Sequence, residues 1–223
     1  MHSINFLKRK LRHFFPPQGT ISKRYISRFI PDNPIILEAG ADTGSDTLEM
    51  LGIWPRAKIY AFEPVNESFQ KLSQRFTKNN SVRCFNLALS EKEGKQKMYV
   101  SNTLSSSSLL KPKEHNIQHP EITFSISNEA ETTTIDAWAS REGIKKIDFL
   151  WLDLQGCEMD VLKSAKKMLL SVKAIYTEVS LIENYEGSAL YPEVRKFLEQ
   201  QGFLVKKEKF PWPDMGNVLF VRR

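Results

Sequence analysis

Cysteine is nearly absent from this 223-residue chain, which has only Cys84 and Cys157. Two such isolated cysteines supply neither a disulfide framework nor a zinc site, and they suit a reducing compartment, so the expected location is the cytoplasm. No apolar run approaches the roughly 20 residues that span a bilayer. The opening residues MHSINFLKRKLRHFF scatter apolar side chains ahead of a basic cluster, the reverse of the charge-first order of a secretory signal. Histidine is also scarce. Of four, His115 and His119 are neighbours in the sequence, near Glu114 and Glu121. Pro120 follows at once, which disfavours a helix presenting both rings, and no third ligand stands at a typical spacing, so no metal site is expected. The GxGxxG fingerprint of a dinucleotide site is missing as well.

Acid is missing from the first 31 residues, which hold Lys8, Arg9, Lys10, Arg12, Lys23, Arg24 and Arg28. The other 25 Lys and Arg face all 26 Asp and Glu, so the net charge of +6 belongs to the N-terminal segment and the rest is balanced. A nucleic-acid groove needs bases across a folded face, and no nucleic-acid partner is expected. Ile4, Leu7, Leu11 and Phe14 recur at helical spacing, which predicts an amphipathic basic helix over residues 3–15, ended by Pro16 and Pro17. Its apolar face packs on the domain, or the helix makes a peripheral contact with an anionic membrane. Residues 1–33 thus read as basic helix and linker, and residues 34–223 as one domain.

With 41% hydrophobic and 26% charged residues, the chain has the composition of a globular fold. From residue 35 onward, short β-rich runs alternate with helical stretches. Strands are expected at 35–39, 58–62, 82–89, 147–154 and 174–179, and helices at 45–51, 67–77, 158–170 and 191–201. Strands at 203–210 and 217–222 close the chain with no helix between them. This pattern predicts an α/β, Rossmann-like fold, with helices covering a mostly parallel sheet and an antiparallel hairpin at its end. Residues 91–135 interrupt the rhythm as a β-rich insertion, whose free strand edges are surfaces on which two copies can pair.

In such a sheet, ligands bind at the carboxyl ends of the strands near the switch point. The turn after the first strand, EAGADTG at 38–44, lies there. Gly40 and Gly44 allow a tight turn, and Glu38 and Asp42 stand beside it. Carboxylates in that place repel phosphate but suit a cationic ligand such as S-adenosylmethionine, which has an ammonium, a sulfonium and no phosphate. Asp42 or Ser45 can equally cap the next helix. Glu63, in KIYAFEP at 58–64, ends the second strand, where an acid can bind two ribose hydroxyls. The run VRCFNLALS brings Asn86–Ser90, including Ala88, beside the expected adenine position.

These segments together resemble the S-adenosylmethionine-dependent methyltransferases of the FkbM type. The resemblance rests on EAGADTG, AFEP at 61–64, ALSEKEG at 88–94, SSSSLL at 105–110, TTIDAW at 133–138, FLWLDLQGCEMDVLKSA at 149–165, YTEVS at 176–180 and GNVLFVR at 216–222. It covers about residues 34–222. It implies a seven-stranded class I methyltransferase fold and O-methylation of a sugar, glycan or other small-molecule hydroxyl. The cofactor-binding set is then Glu38, Gly40, Asp42, Gly44, Glu63 and Ala88. The chain departs from the family's usual Asp, Asn and Glu at Glu38, Asp42 and Gln155.

A hydroxyl acceptor must lose a proton, which a positioned base can take. Asp153, at the end of the fourth strand, is the first candidate, and Glu178, near the end of the fifth, is the second. Asp153 can alternatively cap the helix at 158. The serines 105–108 either bind a sugar or form a solvated tip, and Trp138, Trp151 and Trp212 either stack on a sugar ring or pack in the core. Gln155 and the basic helix also suit a catalytically inactive methyltransferase-like module that docks on a partner or membrane. An NAD or nucleotide-sugar enzyme is the third alternative, opposed by Glu38 and Asp42.

Overall fold

The computed structural model describes residues 20–223. The basic helix expected over residues 3–15 lies outside the described residues. In chain order the elements begin with α1 (Lys23–Ile26), β1 (Ile35–Ala39), α2 (Ser45–Ile53), β2 (Lys58–Phe62), α3 (Asn66–Phe76) and β3 (Val82–Phe85). The insertion follows with β4 (Ala88–Leu89), β5 (Gly94–Ser101), α4 (His115–Gln118) and β6 (Phe124–Thr133). The chain then returns to the main body through α5 (Ile135–Arg141), β7 (Phe149–Leu152), α6 (Glu158–Ser164), β8 (Ala174–Ser180), α7 (Tyr191–Gln200), β9 (Phe203–Lys209) and β10 (Met215–Arg222).

Seven strands make one sheet in the order β3-β2-β1-β7-β8-β10-β9. The first five pair in parallel, and β10 runs antiparallel to both β8 and β9. This is the expected mostly parallel sheet with its closing hairpin. Successive side chains of a strand point to opposite faces, and two apolar layers result. Leu37, Ala39, Phe62, Leu150 and Ile175 pack under Trp138 of α5, Leu162 of α6 and Leu198 of α7. Ile36, Ile59, Phe149 and Leu219 pack under Met50 of α2 and Leu72 of α3. Ile21, Ile26 and Ile30 are buried in the second layer. Lys23 of α1 fixes this segment further, pairing with Asp46 and, at 2.8 Å, with Glu49 of α2, its ammonium 4.3 Å from the Trp151 ring centre.

Two elements differ from their sequence pattern. The strand expected over 82–89 is broken in two. Val82–Phe85 stays in the main sheet, whereas Ala88–Leu89 pairs with Thr132 and Thr133 of β6 in a second, three-stranded sheet. Asn86 marks the break, its side-chain amide donating to the Glu63 and Pro64 carbonyls at 2.9 and 3.1 Å. The helix expected over 158–170 stops at Ser164 and gives way to a 3-10 turn at Met168–Ser171. A distant carboxylate causes this: Asp136 accepts from the Lys167 and Met168 backbone N–H groups at 2.8 and 2.9 Å, taking donors that would have continued the ladder. The α5 helix, absent from the expected elements, starts at Thr134, whose hydroxyl accepts from Ala137 N at 3.0 Å.

Candidate active site

The sheet's switch point lies between β1 and β7, since the chain leaves β1 toward β2 and later returns on its other side. Residues that follow β1, β2 and β7 converge there on one cavity. Gly40, Ala41, Asp42, Ser45 and Asp46 form one wall and Phe62–Val65 a second; Asp153, Leu154 and Cys157 form a third. The insertion closes the cavity with Leu87–Leu89, Met98 and residues from Leu104 to Leu109.

The β1 turn is shaped by close backbone contact. Gly40 has φ +80°, and a Cβ there would lie 1.9 Å from the Asp153 carbonyl oxygen. Gly44, also left-handed at φ +82°, starts α2 outside the cavity, and a Cβ on it would meet the Phe76 ring at 2.5 Å. Between them Asp42 holds φ 44°, and its carboxylate accepts from Ser68 Oγ at 2.7 Å. Its backbone N–H donates to Glu63 Oε2 at 2.9 Å, while Val65 N donates to Glu63 Oε1 at 2.7 Å. Burial pushes the Glu63 carboxyl up to about 7, against the pull of those two hydrogen bonds.

The expected site residues fall into three groups. Gly40, Asp42, Glu63, Ala88 and Asp153 line the cavity. Gly44 supports it from behind. Glu38 and Glu178 are set apart from its lining. Glu38 shares the face of Ile36 and is fully buried under α2, where Thr47 Oγ1 donates to its Oε2 at 2.5 Å. Its Oε1 has no hydrogen-bond partner, and burial raises its carboxyl to about 8. Such an acid is mostly protonated at neutral pH.

Asp153 is open to the cavity, but the surrounding protein pushes its carboxyl up to about 6, with Asp46 and Asp42 adding repulsion. It does not cap the following helix. Cys157 occupies that position, and Asp153 Oδ1 instead accepts from Gln155 Nε2 at 2.8 Å. The same nitrogen donates to Glu178 Oε2 at 2.9 Å. Glu178 is raised well above the carboxylate range, first by burial and then by Asp153, Glu158 and Asp214.

The serines 105–108, expected either to bind a sugar or to form a solvated tip, contribute to the cavity lining at 105, 107 and 108. Ser107 and Ser108 are buried, and the Ser108 hydroxyl donates to the Gln155 carbonyl at 2.7 Å, so these serines are built into the wall. The run SSSSLL was visible, but nothing in it told which serines turn inward. Ser45, Asp46, Met98 and Cys157 carried no signal. Trp138 and Trp151 are core residues at 1% and 4% exposure, whereas Trp212 is 43% exposed in the β9–β10 turn. His115 is buried with its ring 5.0 Å from that of His119, which faces Asp214 at 3.3 Å.

Among the described residues that line the cavity, Asp42, Asp46, Glu63 and Asp153 are acidic and none is Lys, Arg or His. That lining fits a cationic ligand without phosphate. The profile of the methyltransferase FkbM domain matches residues 38–205. The chain belongs to the FkbM methyltransferase family. The 2-O-methyltransferase NoeI of Sinorhizobium fredii (strain NBRC 101917 / NGR234) is 30% identical over 206 residues, covering 89% of this chain and 84% of that protein. Methyltransferase sdnD of Sordaria araneosa is 26% identical over 219 residues, covering 87% and 83%. The crystal structure of methyltransferase FkbM from Methylobacillus flagellatus KT shares the fold with a TM-score of 0.57 at 14% identity. The match covers 85% of this chain but only 44% of that longer one. Aeropyrum pernix fibrillarin, solved with natively bound S-adenosyl-L-methionine, matches with a TM-score of 0.51 at 16% identity, covering 86% of this chain and 69% of that one. These likenesses identify a class I methyltransferase fold. The cofactor of this FkbM methyltransferase is S-adenosyl-L-methionine. Asp42 and Glu63 stand at the strand ends in the lining of the cavity.

Proposed function

We propose that the protein methylates a hydroxyl group of an uncharged small molecule or glycan. The observation that carries this reading is a cavity whose described lining has four acids and no Lys, Arg or His, with Asp153 open to it. A phosphate-bearing acceptor such as a nucleic acid would meet repulsion in that cavity without a compensating cation. The 30% identical relative is named a 2-O-methyltransferase, which supports oxygen as the acceptor atom.

The cofactor, when bound, supplies a methyl group activated by its sulfonium. The protein's part is to align the acceptor, exclude water and receive a proton. Asp153 would accept the acceptor's O–H proton as the methyl carbon's bond to sulfur gives way to its bond to the acceptor oxygen, with S-adenosylhomocysteine as the leaving group. A carboxyl raised to about 6 is a stronger base than an ordinary aspartate and is still mostly ionised at neutral pH. The wall at Leu104, Leu109 and Met98 supplies apolar cover over the same space.

The test has two stages. Calorimetry with S-adenosylhomocysteine and, separately, NAD should show binding of the first ligand alone. Incubation with S-adenosylmethionine and a panel of sugars, glycans, polyols, proteins and RNA should then give a methyl ether on an uncharged hydroxyl compound, read by mass. Transfer to RNA would sink the acceptor class. Cofactor binding with no transfer to any acceptor would favour a binding module that docks through residues 1–30.

A further inference from the structure

Asp153 follows β7 and Glu178 lies in β8, neighbouring strands of the sheet. Among the described residues neither forms an ion pair with Lys, Arg or His. One nitrogen joins them: Gln155 Nε2 gives one hydrogen to Asp153 Oδ1 at 2.8 Å and the other to Glu178 Oε2 at 2.9 Å. An ionised Asp153 can only accept, so the NH₂ end of the amide faces it. Its oxygen accepts from the Tyr185 hydroxyl at 2.9 Å, a proton shared with the Ser106 carbonyl at 3.0 Å.

The backbone beneath this amide is held in place from several sides. Gln155 has φ 53°, a left-handed conformation that a non-glycine residue keeps only where its surroundings impose it. Glu158 accepts from Leu154 N at 2.8 Å and from Gly156 N at 3.0 Å, gripping the turn on both sides of Gln155. Ser108 of the insertion holds the Gln155 carbonyl. The charged and titratable groups facing the pair are Asp42 and Asp46 from the β1 turn and α2, Glu158 from α6, and Asp214 just before β10. Glu63, Tyr176 and Tyr185 complete the surroundings, and Lys23 is already bonded to Asp46 and Glu49. Gln155 is thus the neutral donor in a ring of acids and phenols.

We propose that Gln155 is a positioning residue whose amide clamps Asp153 and Glu178 into one acid pair, and that its neutrality keeps Asp153 able to accept the acceptor's proton. The clamp itself follows from the geometry; its use in proton transfer rests on the hydroxyl-methylation reading. A glutamate at 155 would place a third carboxyl against the pair and supply no donor while ionised. Both effects favour protonated Asp153.

The test begins with the full chain, free of ligand, labelled with carbon-13 at its side-chain carboxyls and titrated by NMR. In the wild type the Asp153 and Glu178 signals should titrate together in two steps that belong to the pair. In Gln155→Glu and in Gln155→Met the upper step should move alkaline by about one pH unit or more. Should Gln155→Glu not fold, Gln155→Met and Tyr185→Phe test the same clamp with neutral side chains. Independent single-step titrations in the wild type, or unchanged Asp153 and Glu178 curves in Gln155→Met, would overturn the proposal. The pH–rate profile of Gln155→Met should show the same alkaline shift. If the carboxyl titrations shift but the wild type methylates nothing, the clamp stands and the hydroxyl-methylation reading fails.

Discussion

Glu63 and Asp153 stand at comparable places, just beyond the ends of parallel strands, and they are held in different ways. Glu63 accepts two backbone N–H groups, from Asp42 and Val65, so the fold of the turn dictates its orientation. Asp153 and Glu178 receive their bonds from one side-chain amide, that of Gln155 in the turn after β7. An acid held by backbone survives most substitutions around it. An acid held by one side chain can be reoriented, or shifted in its proton affinity, by a single replacement. The expected cofactor side of the site is built the first way and the expected acceptor side the second.

Substitutions on the two sides should separate them. The largest effect is expected from Asp153→Asn, which removes the proton acceptor while leaving the β1 turn intact: turnover should fall about 100-fold or more with S-adenosylhomocysteine affinity little changed. Normal turnover in that variant would remove Asp153 from the mechanism. Next comes Gly40→Ala, whose Cβ collides with the Asp153 backbone. Chemical denaturation should show a loss of about 2 kcal/mol or more. Gly44→Ala should cost less, because its Cβ meets side chains of Phe76 and Leu72 that can move.

Glu63→Ala should weaken S-adenosylhomocysteine binding by about 10- to 100-fold, the worth of lost hydrogen bonds to a charged group. An unchanged affinity by calorimetry would erase the contrast between the two sides. The smallest effect is expected from Glu38→Gln, which should leave binding nearly intact and show itself in the pH dependence of stability. The folded carboxyl is raised to about 8, so between the ordinary value of about 4.3 and that point the folded state binds the extra proton. Stability contributed by the protonated form is complete at low pH and is lost as pH rises through about 8. Denaturation series across that window should show a decline in the wild type that is flatter in Glu38→Gln by up to about 1.4 kcal/mol per pH unit.

Local pattern carried the sheet a long way. The β2 strand matches its expected bounds because its apolar run and flanking proline turns agree. The acids at the ends of β1, β2 and β7 were visible as residues, but their directions were not. Glu38 turns under α2 because it alternates with Leu37 and Ala39, whose side chains occupy the other layer. The early end of α6 could not be read from residues 158–170 alone, since its cause, Asp136, is more than 20 positions away. Gln155 looked like a departure from the family pattern in the sequence. Its partners lie on β8, in the insertion and near Tyr185, which only the folded chain brings together.

The divided third strand has a further effect. Ala88 and Leu89 line the cavity, but their ladder partners are Thr132 and Thr133 of the small sheet. This wall of the cavity is therefore fastened to the insertion, with Asn86 and Leu87 as the connection back to the main body. A chimera that imports residues 91–133 from a relative also imports the register that sets this wall. Such a transplant reaches the cavity itself, through the ladder that Ala88 and Leu89 share with β6.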